Sequence, residues 1–126
     1  MTFNEHTLPS NRTWLEELAE ANTAQAGGNI GRARTCARRA VGMAIRDTIG
    51  IGPGPRNYAS TFILALRRLA EDPAFSQAVR AAAVRLADRS KPDRTSASES
   101  PADDAGIILR ELQARSIANT TSAPAR

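Results

Sequence analysis

Lysine is nearly missing from this chain. Lys91 is the only one, so the net charge of +4 is carried almost wholly by arginine. Cysteine is equally scarce. Cys36 stands alone, which excludes an internal disulfide framework and fits a reducing compartment. His6 is the only histidine and lies far from Cys36 in sequence, so no zinc-ligand spacing exists. A cysteine nucleophile also lacks the general base it normally needs. Aromatic residues make up 4% of the chain. The core must therefore be leucine, isoleucine, valine and alanine, and a base-stacking surface for single-stranded nucleic acid is disfavoured. No apolar run approaches the roughly 18 residues of a membrane helix, and "MTFNEHTLPS" has no secretory apolar region. These absences predict a soluble, cytoplasmic chain without a metal, a cofactor or a membrane partner.

What is present points to helices. The length of 126 residues allows one domain. Alanine is abundant and β-branched runs are missing, which favours helix over sheet. Residues 1–10 read as a flexible leader. In "NRTWLEELAEANTAQAGG", Trp14, Leu15, Leu18 and Ala21 recur at helical spacing, with Glu16, Glu17 and Glu20 facing away. Gly27 and Gly28 end this helix, and Asn29 caps the next. The second helix is expected from Ile30 to Ile49, with Ala33, Cys36, Ala37, Ala40, Val41 and Ala44 on one face and Met43 at its margin. "GIGPGPRN" is a loop.

A third helix fits "YASTFILALRRLA", with Asn57 as its cap and Tyr58, Phe62, Ile63, Leu66, Leu69 and Ala70 inward. "EDP" predicts a fourth helix over 73–89, with Asp72 as cap and Pro73 at its first position. Phe75, Val79, Ala82, Ala83 and Leu86 fall on its apolar side. Residues 90–104, "SKPDRTSASESPADD", read as a serine- and proline-rich linker. A short peripheral helix over 105–118 follows, capped by Asp103 or Asp104, and residues 119–126 form a tail. The expected fold is all-α: an antiparallel four-helix bundle over 11–89 with a peripheral C-terminal helix.

The stretch "GGNIGRARTCARRAVGMAIR" carries the strongest candidate for function. Arg32, Arg39 and Arg46 share one edge of the apolar face, while Arg34 and Arg38 share the other. Arginines on both rims of an apolar stripe are what an ordinary core helix shows, and Glu16, Glu17 and Glu20 offer partners. Against that stands the helix start. Asn29, Gly31, Arg32 and Arg34 combine free N–H groups, close backbone approach and cations, which suits a phosphate or another anion. The spacing is that of neither a phosphate-binding loop nor a dinucleotide fingerprint. Arg39 and Arg46 form a candidate contact edge. Asp47, Asn57 and Tyr58 are candidates for a polar cleft, although a capped helix start accounts for the last two equally well. Cys36 reads as a buried small hydrophobe.

The segments "GNIGRARTCARRA" and "YASTFILALRRLAEDPAF" resemble small bacterial HEPN-type helical domains, over roughly Trp14 to Arg89. The resemblance implies a four- or five-helix bundle, often dimeric, associated with RNA or nucleotides. Many members cleave RNA without metal, using an arginine, a polar residue and a histidine on a late helix. Here Arg80, Arg85 and Arg89 lie on the fourth helix and no histidine follows any of them. The catalytic residues therefore do not carry over. The expectation is a non-catalytic HEPN-like module, homodimeric, that binds an anionic ligand such as a nucleotide or RNA, or else a protein partner. A metal-independent RNase using Arg38 or Arg39, and a purely structural interaction bundle, are the alternatives.

Overall fold

The computed structural model describes residues 12–88 and 98–122, with side chains described as far as Ser116. These residues form five helices: α1 (Trp14–Ala26), α2 (Ile30–Thr48), α3 (Phe62–Glu71), α4 (Gln77–Ala87) and α5 (Pro101–Ser122). No strand occurs among them; Ile51 and Ala59 make an isolated parallel bridge within the loop before α3. The expected leader and tail lie outside the described residues, apart from the backbone of the tail's first turn, which continues α5.

Helix α2 is the organising element, because it packs against all four others. Its alanine face does this. Ala33, Ala37 and Ala40 are fully buried, and Cys36, Val41, Ala44 and Ile45 complete the stripe. Methyl side chains keep little distance between helix axes, so neighbours lie close on more than one side. The predicted bounds of α2 hold to within a residue. Asn29 caps it by accepting a hydrogen bond from the Arg32 N–H at 3.2 Å. Helix α1 opens with a reciprocal capping box: Thr13 Oγ1 accepts from the Glu16 N–H, and Glu16 Oε1 accepts from the Thr13 N–H.

Four expectations need correction. Leu15 is 61% exposed, whereas Glu17, expected to face water, is 1% exposed. The inner stripe of α1 runs through Glu17, Ala21 and Ala24; Trp14 and Leu18 pack half-buried against the core as expected, so of the expected apolar face Leu15 alone turns outward. Arg12 and Arg39 stand beside the Glu17 carboxylate, and this compensation makes its burial tolerable.

The third helix begins at Phe62 with Thr61 as cap, not at Asn57–Tyr58. Tyr58 instead donates its N–H to Gly50 O at 2.9 Å, and Asn57 Nδ2 donates to Pro53 O at 3.0 Å. Both residues thus fold the glycine-rich loop back on itself. Gly50 has φ of +125°, and a Cβ there would lie 2.4 Å from Asn57 Oδ1, so the turn requires glycine twice over. The fourth helix begins at Gln77 with Ser76 as cap, not at Pro73. Asp72 ends α3, accepting from the Ala74 N–H through Oδ1.

The C-terminal helix differs most. It starts at Pro101, inside the expected linker, and it belongs to the core. Ala102, Ala105, Ile108, Leu109 and Leu112 are buried against α2, α4 and α1. Burying a leucine or isoleucine stabilises by roughly 1.5–3 kcal/mol, so three such residues fix the helix in place. Asp104 is not a cap. It lies 5% exposed within the first turns, accepting two hydrogen bonds from Arg85 Nε and one at 2.7 Å from Arg85 Nη2. Ser98 Oγ donates to the same carboxylate at 2.6 Å.

Gly42 carries a second close approach. A Cβ added there would lie 2.3–2.8 Å from Phe62 ring atoms, so this ring rests directly on the α2 backbone. Gly42→Ala gains helix propensity of about 1 kcal/mol. Overpacking costs about 1–3 kcal/mol and outweighs it here. Urea denaturation is expected to show a net loss of about 1 kcal/mol, and a stabilised variant would mean the ring moves away freely.

Candidate functional site

The candidate arginines of α2 have partners. Arg32 donates to Glu20 Oε2 through Nη2 at 2.6 Å and Nε at 3.1 Å. That bond raises the pKa of Arg32 and lowers that of Glu20. Arg34 Nε donates to the Ser98 carbonyl at 3.1 Å, tying the start of the C-terminal segment to α2. Arg39 forms an ion pair with Glu17 at 3.5 Å, and Arg46 bonds Asp47, its neighbour in sequence, at 3.1 Å. The expected pairing with acidic residues of α1 is therefore present for Glu17 and Glu20, while Glu16 serves its own helix cap.

At the expected anion site, the Asn29 side chain occupies the Arg32 N–H, and Arg32 and Arg34 turn to protein oxygens. Gly31 is exposed, with nothing within 4 Å of an added Cβ. Asp47, Asn57 and Tyr58, expected as a polar cleft, bond three different partners: Arg46, Pro53 and Asp72.

Cys36 is buried, as the sequence reading expected. Desolvation pushes its thiol pKa up, and the nearby Glu17 charge adds to this. Such a thiol is a poor nucleophile. Among the described residues no group of three or more histidine, cysteine or acidic side chains is placed to hold a metal. No helix among them is long and apolar enough to cross a membrane.

A groove between α2 and α3 offers more. Thr35, Arg38 and Arg39 line it from α2, and Phe62, Ile63 and Leu66 from α3, around about 190 Å³. The floor is apolar and the α2 wall is cationic. Leu66 is fully buried, Phe62 and Ile63 half-buried. Arg38 Nη1 also reaches the Leu86 carbonyl at 3.4 Å. From sequence, Phe62, Ile63 and Leu66 read as plain core, because a helical wheel does not say where a gap is left between two helices. Phe62 packs on the backbone of Gly42 at this seam, and no local sequence signal announces it.

The end of α3 is held by a different cluster. The Tyr58 hydroxyl donates to Asp72 Oδ2 at 2.6 Å, while Arg68 donates to the Tyr58 carbonyl and stacks 4.2 Å from its ring centroid. Burial and the Asp72 bond push the tyrosine pKa far upward, so the phenol stays protonated. The same bond, with the Ala74 N–H, lowers the Asp72 pKa below its ordinary 3.8. A depressed carboxylate pKa stabilises the fold fully above the unfolded value and loses that contribution as pH falls through the folded value. Acid titration of unfolding free energy is therefore expected to fall below about pH 4, with a shallower fall in Tyr58→Phe. Identical slopes in the two proteins would remove this coupling. Compared with known proteins, the chain matches no family model, no curated protein and no solved structure.

Proposed function

We propose that this chain is a non-catalytic helical module, HEPN-like in the resemblance of its second and third helices, that docks an acidic amphipathic segment of a protein partner in the α2–α3 groove. The observation that carries the reading is the pairing of an apolar floor, Phe62, Ile63 and Leu66, with a wall bearing Arg38 and Arg39. An apolar side chain flanked by carboxylates satisfies both halves of such a groove. Its volume suits one or two side chains rather than a whole nucleotide.

The nucleotide and RNA reading has less support. Arg32 and Arg34 are engaged by Glu20 and Ser98, and Tyr58 and Phe75 are buried, so neither ring is open to stack a base. The RNase alternative requires Arg38 or Arg39 to act without histidine. Single-stranded RNA left intact at high protein excess removes it. The homodimer has its own test: light scattering that gives a monomer at micromolar concentration eliminates it and leaves the groove to a foreign chain.

Fluorescence anisotropy with a short labelled peptide of leucine and glutamate tests the groove. The wild-type chain is expected to bind it and to ignore the leucine–glutamine counterpart. Ile63→Glu sets a carboxylate in the groove and is expected to weaken binding by about tenfold or more, since like charges at an interface cost well over the 1.4 kcal/mol of a tenfold change. Rising salt should weaken binding only in part, because the apolar contact is unscreened. Equal binding of both peptides, or none of the acidic one, defeats the proposal.

A further inference from the structure

Glu17 contacts one arginine of the groove wall, Arg39, from α1. Its side chain is 2% exposed, and Oε1 is buried with no hydrogen-bond partner among the described residues. Oε2 lies 3.3 Å from Arg12 Nε and 3.5 Å from Arg39 Nη1. Both contacts are long for charge-assisted hydrogen bonds, so they compensate charge without fixing orientation. A buried carboxylate that loses such compensation is strongly destabilised. Arg39, however, is half exposed and also lines the groove. One guanidinium therefore faces two anions: Glu17 inside, and any carboxylate docked outside.

We infer that Glu17 is an internal competitor for Arg39, which sets the affinity of the groove for acidic partners. This inference rests on the groove reading above. A docked carboxylate draws on Arg39 only as far as Glu17 releases it, and Arg12 covers part of that release. The coupling predicts opposite signs at two positions. Glu17→Gln frees Arg39 and tightens binding. Arg12→Gln leaves Glu17 dependent on Arg39 alone and weakens binding, although Arg12 does not line the groove.

Anisotropy titrations of the leucine–glutamate peptide on the full chain read both effects. Glu17→Gln is expected to bind about fivefold more tightly, the lower end of coupling between linked sites. Arg12→Gln should bind about two- to threefold more weakly, by the same linkage. Both shifts should vanish in an Arg39→Gln background, which separates the relay from a general change in charge. Circular dichroism checks that each variant is folded. If Glu17→Gln does not fold, the surface variant Arg12→Gln carries the test, and unchanged affinity there overturns the inference. Wild-type binding that Ile63→Glu weakens but Glu17→Gln leaves equal or weaker overturns the competition and keeps the groove. Absence of binding in every variant overturns both.

Discussion

The close approach of helices to the alanine face of α2 is the constraint on which the rest depends. Ala33, Ala37, Ala40 and Ala44 contribute little volume, so α2 sits at the centre with neighbours on several sides. A central helix with small side chains buries modest area per residue. The shortfall is met by larger residues arriving from outside it: Leu66 and Leu69 on α3, Leu86 on α4, and Ile108, Leu109 and Leu112 on α5. The fifth helix is therefore integral. Without it, the faces of α2 and α4 that now meet Ala105 and Ile108 would stand open to water, at about 25 cal/mol for each Å² of apolar surface.

Polar contacts decide where this packing stops. Asp104 is buried, yet Arg85 and Ser98 satisfy it, and Arg34 holds the Ser98 carbonyl. These bonds join α2, α4 and the start of α5 at one end of the bundle. Tyr58, Asp72 and Arg68 do the same work for the loop before α3 and the end of that helix. Arg115 stacks over Phe75 and donates to the Ala74 carbonyl, fastening α5 to the turn between α3 and α4. Each cluster links segments distant in sequence, which is why capping rules alone misplace the boundaries near them.

Helix α2 was legible almost to the residue, because its cap, its stop and its periodicity agree: Asn29, the glycine loop and the alanine stripe all mark one element. Phe75, Val79, Ala82, Ala83 and Leu86 are legible as core from their spacing alone, although the start of α4 is not. Asp72–Pro73 is a strong start signal locally, and Asp72 does accept from the Ala74 N–H, but the turn it opens ends at Phe75 and Ser76 caps α4. Composition misplaces the start of the C-terminal helix, which lies at Pro101. Serines and aspartates before Ile107 suggest solvent, whereas Arg85 and Arg34, supplied by other helices, help to turn Asp104 and Ser98 into interior groups. Of the site, the arginine edges were visible and their partners partly so. The groove was not, because it is a gap between two faces rather than a property of either.

Glu17 shows how these levels meet. On hydropathy alone it belongs outside, and Leu15 belongs inside; the chain does the opposite. Rotating α1 to bury Leu15 would carry Glu17 away from Arg39, leaving that arginine to the groove and to water. Burial of Glu17 thus keeps a carboxylate beside Arg12 and Arg39, inside the packing of α1 on α2. A leucine at this position would pack α1 on α2 with no carboxylate to compensate, and replacing buried ion pairs by apolar groups is often neutral or stabilising. The stability of the bundle therefore gives no reason for a carboxylate at position 17. What Glu17 does hold is Arg39: on the competition proposed above, an arginine tethered in this way would present a weaker and more selective cation than an unpaired one, since selectivity is a difference between affinities rather than a maximum of one.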